Sequence, residues 1–197
     1  MSEPENFQKV KLTIDLTKAN VYGILGLFPI LLLYGVPFYL IWGDRFKGED
    51  SFRMFPETDS LMSGILVLLG FVAVVAGGIV VHELIHGLTW SLFTKRGFKS
   101  IRFGILKEML TPYCHCEEPL KVRQYVLGAA MPAVILGFIP ALVSLFTGNS
   151  SILLFGIFFT MAAIGDFMII WLLRKESSNS FVLDHPSEAG CYVYRPK

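Results

Sequence analysis

The sequence predicts an integral membrane protein, mainly α-helical, with four transmembrane helices and a small β-sheet on the cytosolic side. Three observations carry that reading. Of 197 residues, 53% are hydrophobic and only 17% are charged, with a mean hydropathy of +0.57, values foreign to a water-soluble domain of this size. The apolar residues gather in long uncharged runs rather than alternating with polar ones as core positions do. The polar segments between them alternate with period 2, the mark of half-buried strands.

The elements follow in chain order. Lys9 to Leu16 sets Val10, Leu12, Ile14 and Leu16 against Lys9, Lys11, Thr13 and Asp15, so a strand precedes the first span. Between Lys18 and Asp44 lie 25 residues without a formal charge. That is enough to cross a hydrocarbon core of about 30 Å at about 1.5 Å per helical residue. The run is too long for a signal-peptide core and shows no small-residue cleavage site, so residues 20–42 read as a retained span, kinked at Pro29 and Pro37. A second apolar segment covers residues 60–94 and contains only His82, Glu83 and His86 as charged or histidine residues; it is longer than a bilayer requires. Ile101, Phe103 and Ile105 alternate, and beyond Lys107 and Glu108 the chain runs from Leu110 to Cys116, which predicts a hairpin. Spans three and four cover residues 124–146 and 152–173, parted by the turn Thr147-Gly148-Asn149-Ser150. In the tail, residues 174–197, Asp184-His185-Pro186-Ser187 reads as a turn leading to a strand at Tyr192, Val193 and Tyr194. No internal repeat or low-complexity linker divides the chain, so residues 1–197 are expected to form a single membrane-embedded domain.

Lys and Arg set the orientation. With a cytosolic N-terminus, three precede span one, seven lie between spans two and three, and four lie in the tail, against three in the first outer loop: 14 inside and 3 outside. Both termini are therefore expected in the cytosol, and a reporter fused to either end and found outside would overturn this. A net charge of +1, with no basic cluster interleaved with aromatics, excludes a nucleic-acid binder. The odd count of three cysteines, with Cys114 and Cys116 too close along a strand to pair, indicates reduced thiols rather than a disulfide framework.

The chemistry lies in the exceptions to the apolar pattern. His82-Glu83-Leu84-Ile85-His86 is an H-E-x-x-H sequence inside a helical pattern. Two histidines at i and i+4 share a helix face and can reach one Zn²⁺, while the intervening Glu can reach a metal-bound water. Ionisable side chains at membrane depth each cost on the order of 3 kcal/mol and usually face the bundle interior, where they find partners. Across the four spans the only acids are Glu83 and Asp166 and the only histidines His82 and His86. His86 lies nine residues before Lys95, and Asp166 eight before Arg174, so both reach about 12 to 14 Å below the charged boundary. Asp166 is thus available as a third ligand, leaving an open coordination position. Against this stands the reading of the same groups as buried helix–helix hydrogen bonds. Cys114-His115-Cys116 makes a poor second metal site, because alternation points Cys and His to opposite faces.

With these residues, with Gly128-Ala-Ala-Met-Pro132 opening the third span and Gly165-Asp166 in the fourth, the chain resembles the membrane zincin peptidases of prokaryotes, which are similar to the site-2 protease clan of intramembrane zinc metalloproteases. The resemblance covers spans two to four and the hairpin, about half the chain. It implies Zn²⁺ as cofactor, His82, His86 and Asp166 as its ligands, and Glu83 as the catalytic acid/base. It also implies that the hairpin offers a strand edge to an extended substrate, with Ile101, Phe103, Ile105 and Tyr113 as candidate substrate-binding residues. Gly165 precedes the Asp, where the clan's usual Gly follows it. The tail's Asp184-His185-Pro186 also resembles a motif of the same family.

The expected function is a membrane-embedded zinc metalloprotease that hydrolyses a peptide bond in or near the membrane, Glu83 activating a zinc-bound water. Its partners are the lipid bilayer and a membrane-anchored or membrane-proximal polypeptide, and its location is a prokaryotic cell membrane. The alternative is a metal-binding membrane protein without hydrolytic activity, such as a transporter or scaffold. A transporter should line a path across the bilayer with ionisable groups, whereas here they cluster at one depth.

Overall fold

The computed structural model describes residues 7–46, 60–106, 111–185 and 188–196. The chain begins with strand β1 (Phe7–Thr13) and enters helix α1 (Leu16–Ile30), which continues through a π-helical stretch, Leu31–Gly35, into α2 (Val36–Trp42). Pro29 and Pro37 flank that stretch. A proline removes one intrahelical donor and crowds the preceding turn, and a wider π turn accommodates both effects. The same device recurs in the third apolar segment. Helix α4, Val122–Pro132, passes through the π-helical stretch Ala133–Phe138 into α5 (Ile139–Thr147), with Pro132 and Pro140 on either side.

Helix α3 (Leu61–Ser91) is unbroken over 31 residues, about 46 Å at 1.5 Å per residue. It starts at Ser60, whose hydroxyl accepts from the Ser63 amide while the Ser63 hydroxyl accepts from the Ser60 amide, a reciprocal capping box. Its N-terminal half is bare and apolar, with Leu61, Leu66 and Leu69 exposed; its buried residues begin only at Gly78 and continue through His82, Ile85, His86, Gly87 and Trp90.

After α3 come strands β2 (Ile101–Leu106) and β3 (Thr111–Cys116), paired antiparallel with Phe103 opposite Cys114, then the short β4 (Leu120–Lys121) leading into α4. Gly148, in the left-handed region at φ +68°, ends α5, and the Asn149 side chain caps α6 (Ser150–Ala162). Helix α7 (Ile164–Leu173) follows after a single residue, Ala163, at a bend of 44°. Strands β5 (Phe181–Asp184) and β6 (Gly190–Pro196) complete the chain.

Among the described residues, three helical segments are long and apolar enough to cross a membrane, and the bent α6–α7 pair makes a fourth if it counts as one. Span four is thus not the single helix expected over residues 152–173. Its bend falls immediately before Gly165-Asp166. The single small sheet is also corrected to two: a four-stranded antiparallel sheet in the order β1-β6-β5-β4, and the separate β2–β3 hairpin. The expected strand over residues 9–16 ends at Thr13, and the tail strand extends well beyond Tyr192–Tyr194. Asp184, expected in a turn, instead ends a strand. The connection at residues 107–110, and Pro186 and Ser187, lie outside the described residues.

Two packed regions hold the site. Val182, Cys191 and Val193 of the sheet, none of them measurably exposed, pack with Leu120, Trp90, Tyr125 and Leu173 at the ends of the helices. Burying each large apolar side chain contributes on the order of 1.5–3 kcal/mol. Deeper in the bundle, Ile85 of α3 packs with Leu136 and Phe159. All three cysteines are free.

Candidate metal centre

Helical spacing brings His82 and His86 to one face of α3, and the break at Ala163 turns Asp166, in the first turn of α7, toward them. The carboxylate lies between the two rings. Its Oδ2 is 3.2 Å from His82 Nε2 and its Oδ1 3.2 Å from His86 Nε2. Both histidines are buried and Asp166 is half-buried. The three residues offer one donor atom each, all within 4.8 Å of one another.

The surroundings fix the His86 ring. Its Nδ1 donates to the Gly128 carbonyl at 2.9 Å, so the neutral ring keeps its lone pair on Nε2, the nitrogen facing Asp166. A carbonyl partner on the second ring nitrogen is the usual outer support of a ligating histidine. The His86 ring stacks on Trp90, centroids 5.1 Å apart at 15°, and Trp90 stacks on Tyr125 at 5.1 Å and 21°. The Trp90 indole N–H donates to the Tyr125 carbonyl at 3.0 Å. His82 has no such support: its Nδ1 is buried without a hydrogen-bond partner among the described residues.

These residues fit a zinc ion. Ligand bonds of about 2.0–2.1 Å in tetrahedral array separate N and O donors by about 3.3 Å, close to the two 3.2 Å contacts observed. Two imidazoles and one carboxylate are a donor set that zinc takes readily, and the orphaned ring nitrogen of His82 is a buried polar group that the protein alone leaves unsatisfied. Glu83 is half-buried on the same helix and electrostatically coupled to His82, His86 and Asp166. Its carboxylate accepts from the backbone amide of Cys114 in β3.

Close approach explains two glycines. A Cβ on Gly128 would stand 2.1 Å from Trp90 Nε1, so only glycine lets α4 reach the His86 ring. A Cβ on Gly87 would meet Phe103 and Ile101 at 2.8 and 2.9 Å, so the hairpin rests directly on the turn after His86. Gly128→Val is expected to force Trp90 out of its stack and cost about 1–3 kcal/mol, read as a lower thermal unfolding temperature together with reduced zinc content.

The four candidate substrate-binding residues of the hairpin lie in different surroundings. Phe103 and Ile105 are exposed, but Ile101 is 4% exposed and belongs to the core, because it covers Gly87. Tyr113 projects from the opposite face of the hairpin, where its ring covers Gly104. Ile101 thus shares a strand face with Phe103 and Ile105 but is buried there, while the exposed Tyr113 faces the other way. Burial pushes the Cys114 thiol up, that of Cys116 up to about 11 and that of Cys191 up to about 12. Among the described residues, no group that could hold a metal includes a cysteine.

The far end of α3 is latched to the hairpin by Glu118. It accepts from Ser100 at 2.6 Å, from the Arg96 guanidinium at 2.8 Å and from the Lys95 amide at 2.8 Å. These partners, Ser100 foremost, hold the Glu118 carboxyl down at about 2, below its ordinary 4.5. The unfolded chain binds more protons between those values, so the latch contributes fully above about pH 4.5 and is lost as pH falls through about 2. The thermal stability difference between wild type and Glu118→Gln should accordingly shrink from pH 5 toward pH 2.

Trp90, Tyr125 and the Gly128 carbonyl are the neighbours of His86 that sequence reasoning left without roles. Trp90 carried a signal, since it follows His86 by one helical turn. Among known families, the sequence model described as "putative zincin peptidase" matches residues 75–181, more than half of the chain. No curated protein and no solved structure matches.

Proposed function

Because the chain belongs to the zincin peptidase family, we propose that it is a zinc metalloprotease working in a membrane, where it hydrolyses a peptide bond in or near the bilayer with Glu83 as acid/base. The observation that carries this reading is the convergence of His82, His86 and Asp166 beside Glu83, on a helix whose other half is bare hydrocarbon. Exposed Leu, Val and Phe along α3 and α1 form a surface that water penalises and lipid accepts. The proposed subtype is site-2-protease-like: the third ligand comes from a later apolar segment rather than from the helix that carries the histidines. The Lys/Arg distribution supports cytosolic termini.

His82, His86 and Asp166 would hold the metal. Zinc, when bound, polarises the scissile carbonyl and lowers the pKa of a water toward about 7. The chain's own residues do the rest. Glu83 takes a proton from the attacking water onto a carboxylate oxygen and returns it to the leaving nitrogen. The Cys114 amide steadies that carboxylate, and the Gly128 carbonyl and Trp90 hold the His86 ring in its orientation. Phe103 and Ile105 are the hairpin side chains we assign to contact with an extended, membrane-anchored or membrane-proximal polypeptide.

A metal-binding transporter or scaffold is disfavoured by the grouping of the ionisable residues at one site. Comparison of membrane proteomes from cells making wild type or Glu83→Gln tests the proposal. Product peptides present with the wild type and missing with the variant are expected, and identical proteomes would overturn it.

A further inference from the structure

The tail sheet places one buried carboxylate at the meeting point of three elements. Asp184, the last residue of β5, accepts the Cys116 backbone amide of β3 at 2.7 Å on Oδ2 and the Tyr125 hydroxyl of α4 on Oδ1. Its side chain is 9% exposed, and His115 Nδ1 lies 3.9 Å from Oδ2. Neither oxygen is left without a donor, so the carboxylate is bound on both sides. It lies beyond the residues that define the family match.

Two residues along β3 from Cys116, the Cys114 amide donates to Glu83. In an antiparallel pair, alternate residues turn their peptide groups away from the partner strand, and Cys114 and Cys116 are both of that kind. The outward edge of β3 is therefore held by two carboxylates, one from the tail and one from the α3 helix. On its other side Asp184 holds Tyr125, whose ring supports Trp90 and through it His86.

We propose that Asp184 is a positioning residue, which fixes the register and height of β3 over α3 through the Cys116 amide and so sets the Cys114 amide on Glu83 and the Phe103 face toward substrate. The catalytic consequence rests on the protease reading; the positional one does not. A buried, fully satisfied polar group is suited to specifying one arrangement among several that apolar packing alone would tolerate. Asp184→Asn keeps size and one acceptor oxygen but turns an N–H₂ toward one of the two donors. Tyr125→Phe removes only the α4 arm, and Glu176→Gln breaks the Arg195 ion pair elsewhere in the tail.

The test is amide hydrogen exchange on the full-length, zinc-loaded protein in detergent micelles, resolved to segment 111–116. Asp184→Asn is expected to speed exchange there about tenfold or more, as loss of a charge-assisted hydrogen bond does, with zinc content and exchange over residues 78–90 unchanged. Tyr125→Phe and Glu176→Gln should leave segment 111–116 protected. Unchanged protection in Asp184→Asn, or equal loss in Glu176→Gln, would overturn the proposal. Should Asp184→Asn fail to fold, Asp184→Glu, which keeps the charge but lengthens the arm, is read in the same way. Fluorescein-labelled casein provides the kinetic arm: a misplaced hairpin raises KM, with any accompanying fall in kcat per zinc coming from the loosened Cys114–Glu83 contact, whereas a merely destabilised enzyme loses kcat at constant KM. If wild type does not cut casein, the exchange result still decides the role of Asp184, and only the protease reading is weakened.

Discussion

Glu83→Gln is expected to retain one zinc per chain and to lose peptide cleavage by about 10²–10⁴-fold, the range that a positioned acid/base contributes. The substitution is close to isosteric. The glutamine carbonyl oxygen can still accept the Cys114 amide, so the hairpin has no reason to move, and Glu83 is not among the three residues whose donors converge. What is lost is the ability to take a proton from water and pass it on. Mass-spectrometric zinc content and product formation in proteoliposomes measure the two effects separately. Cleavage at the wild-type rate would refute the role of Glu83; simultaneous loss of zinc would show that it acts by holding the ligands instead.

The second large effect is expected at Asp166. It contacts both histidines, at 3.2 Å to each, and it contributes the negative charge of the donor set. Asp166→Ala should weaken zinc binding by at least about 100-fold, more than loss of an outer-shell partner does. Zinc at a thousandfold excess over its dissociation constant stabilises a folded protein by about 4 kcal/mol. Wild type should therefore gain thermal stability on zinc addition, and Asp166→Ala and His86→Ala should gain little. Undiminished zinc content in Asp166→Ala would reduce the residue to a hydrogen-bond partner of the histidines.

The centre was legible because it is made of residues that are costly where they stand. His82, Glu83, His86 and Asp166 are conspicuous in apolar segments, and helical rise alone places two of them at matching depth. The apolar spans were legible for the complementary reason: their length and composition leave few alternatives. What stayed hidden depends on long-range pairing. Alternation marks Ile101, Phe103 and Ile105 as a strand but does not say that Ile101 will be spent on covering Gly87, or that the hairpin will stay out of the tail sheet. Asp184 looked like a turn former because Asp, Pro and Ser stand together. Its partners, Cys116 and Tyr125, are 68 and 59 residues away, a distance over which local sequence carries no signal. The bend between α6 and α7 had a trace in Gly165, but the break falls at Ala163, whose backbone (φ −82°, ψ 7°) nothing in its side chain demands.

Antiparallel pairing of β1 with β6, from Phe7 opposite Pro196 to Thr13 opposite Gly190, ties the first described residues of the chain to the last. Two strands in one hydrogen-bonded ladder cannot sit on opposite sides of a bilayer, so the number of crossings between them has to be even. Among the described residues, three continuous apolar segments give an odd count; with the bent α6–α7 pair the count becomes even. If the three segments cross, parity makes the broken helix the fourth crossing, and Asp166 then lies within a traversing segment rather than on a surface loop. Parity also orders biogenesis. If these segments cross a bilayer, β1 can pair with β6 only after the last crossing between them is complete, so the finished ladder records that those segments have been inserted.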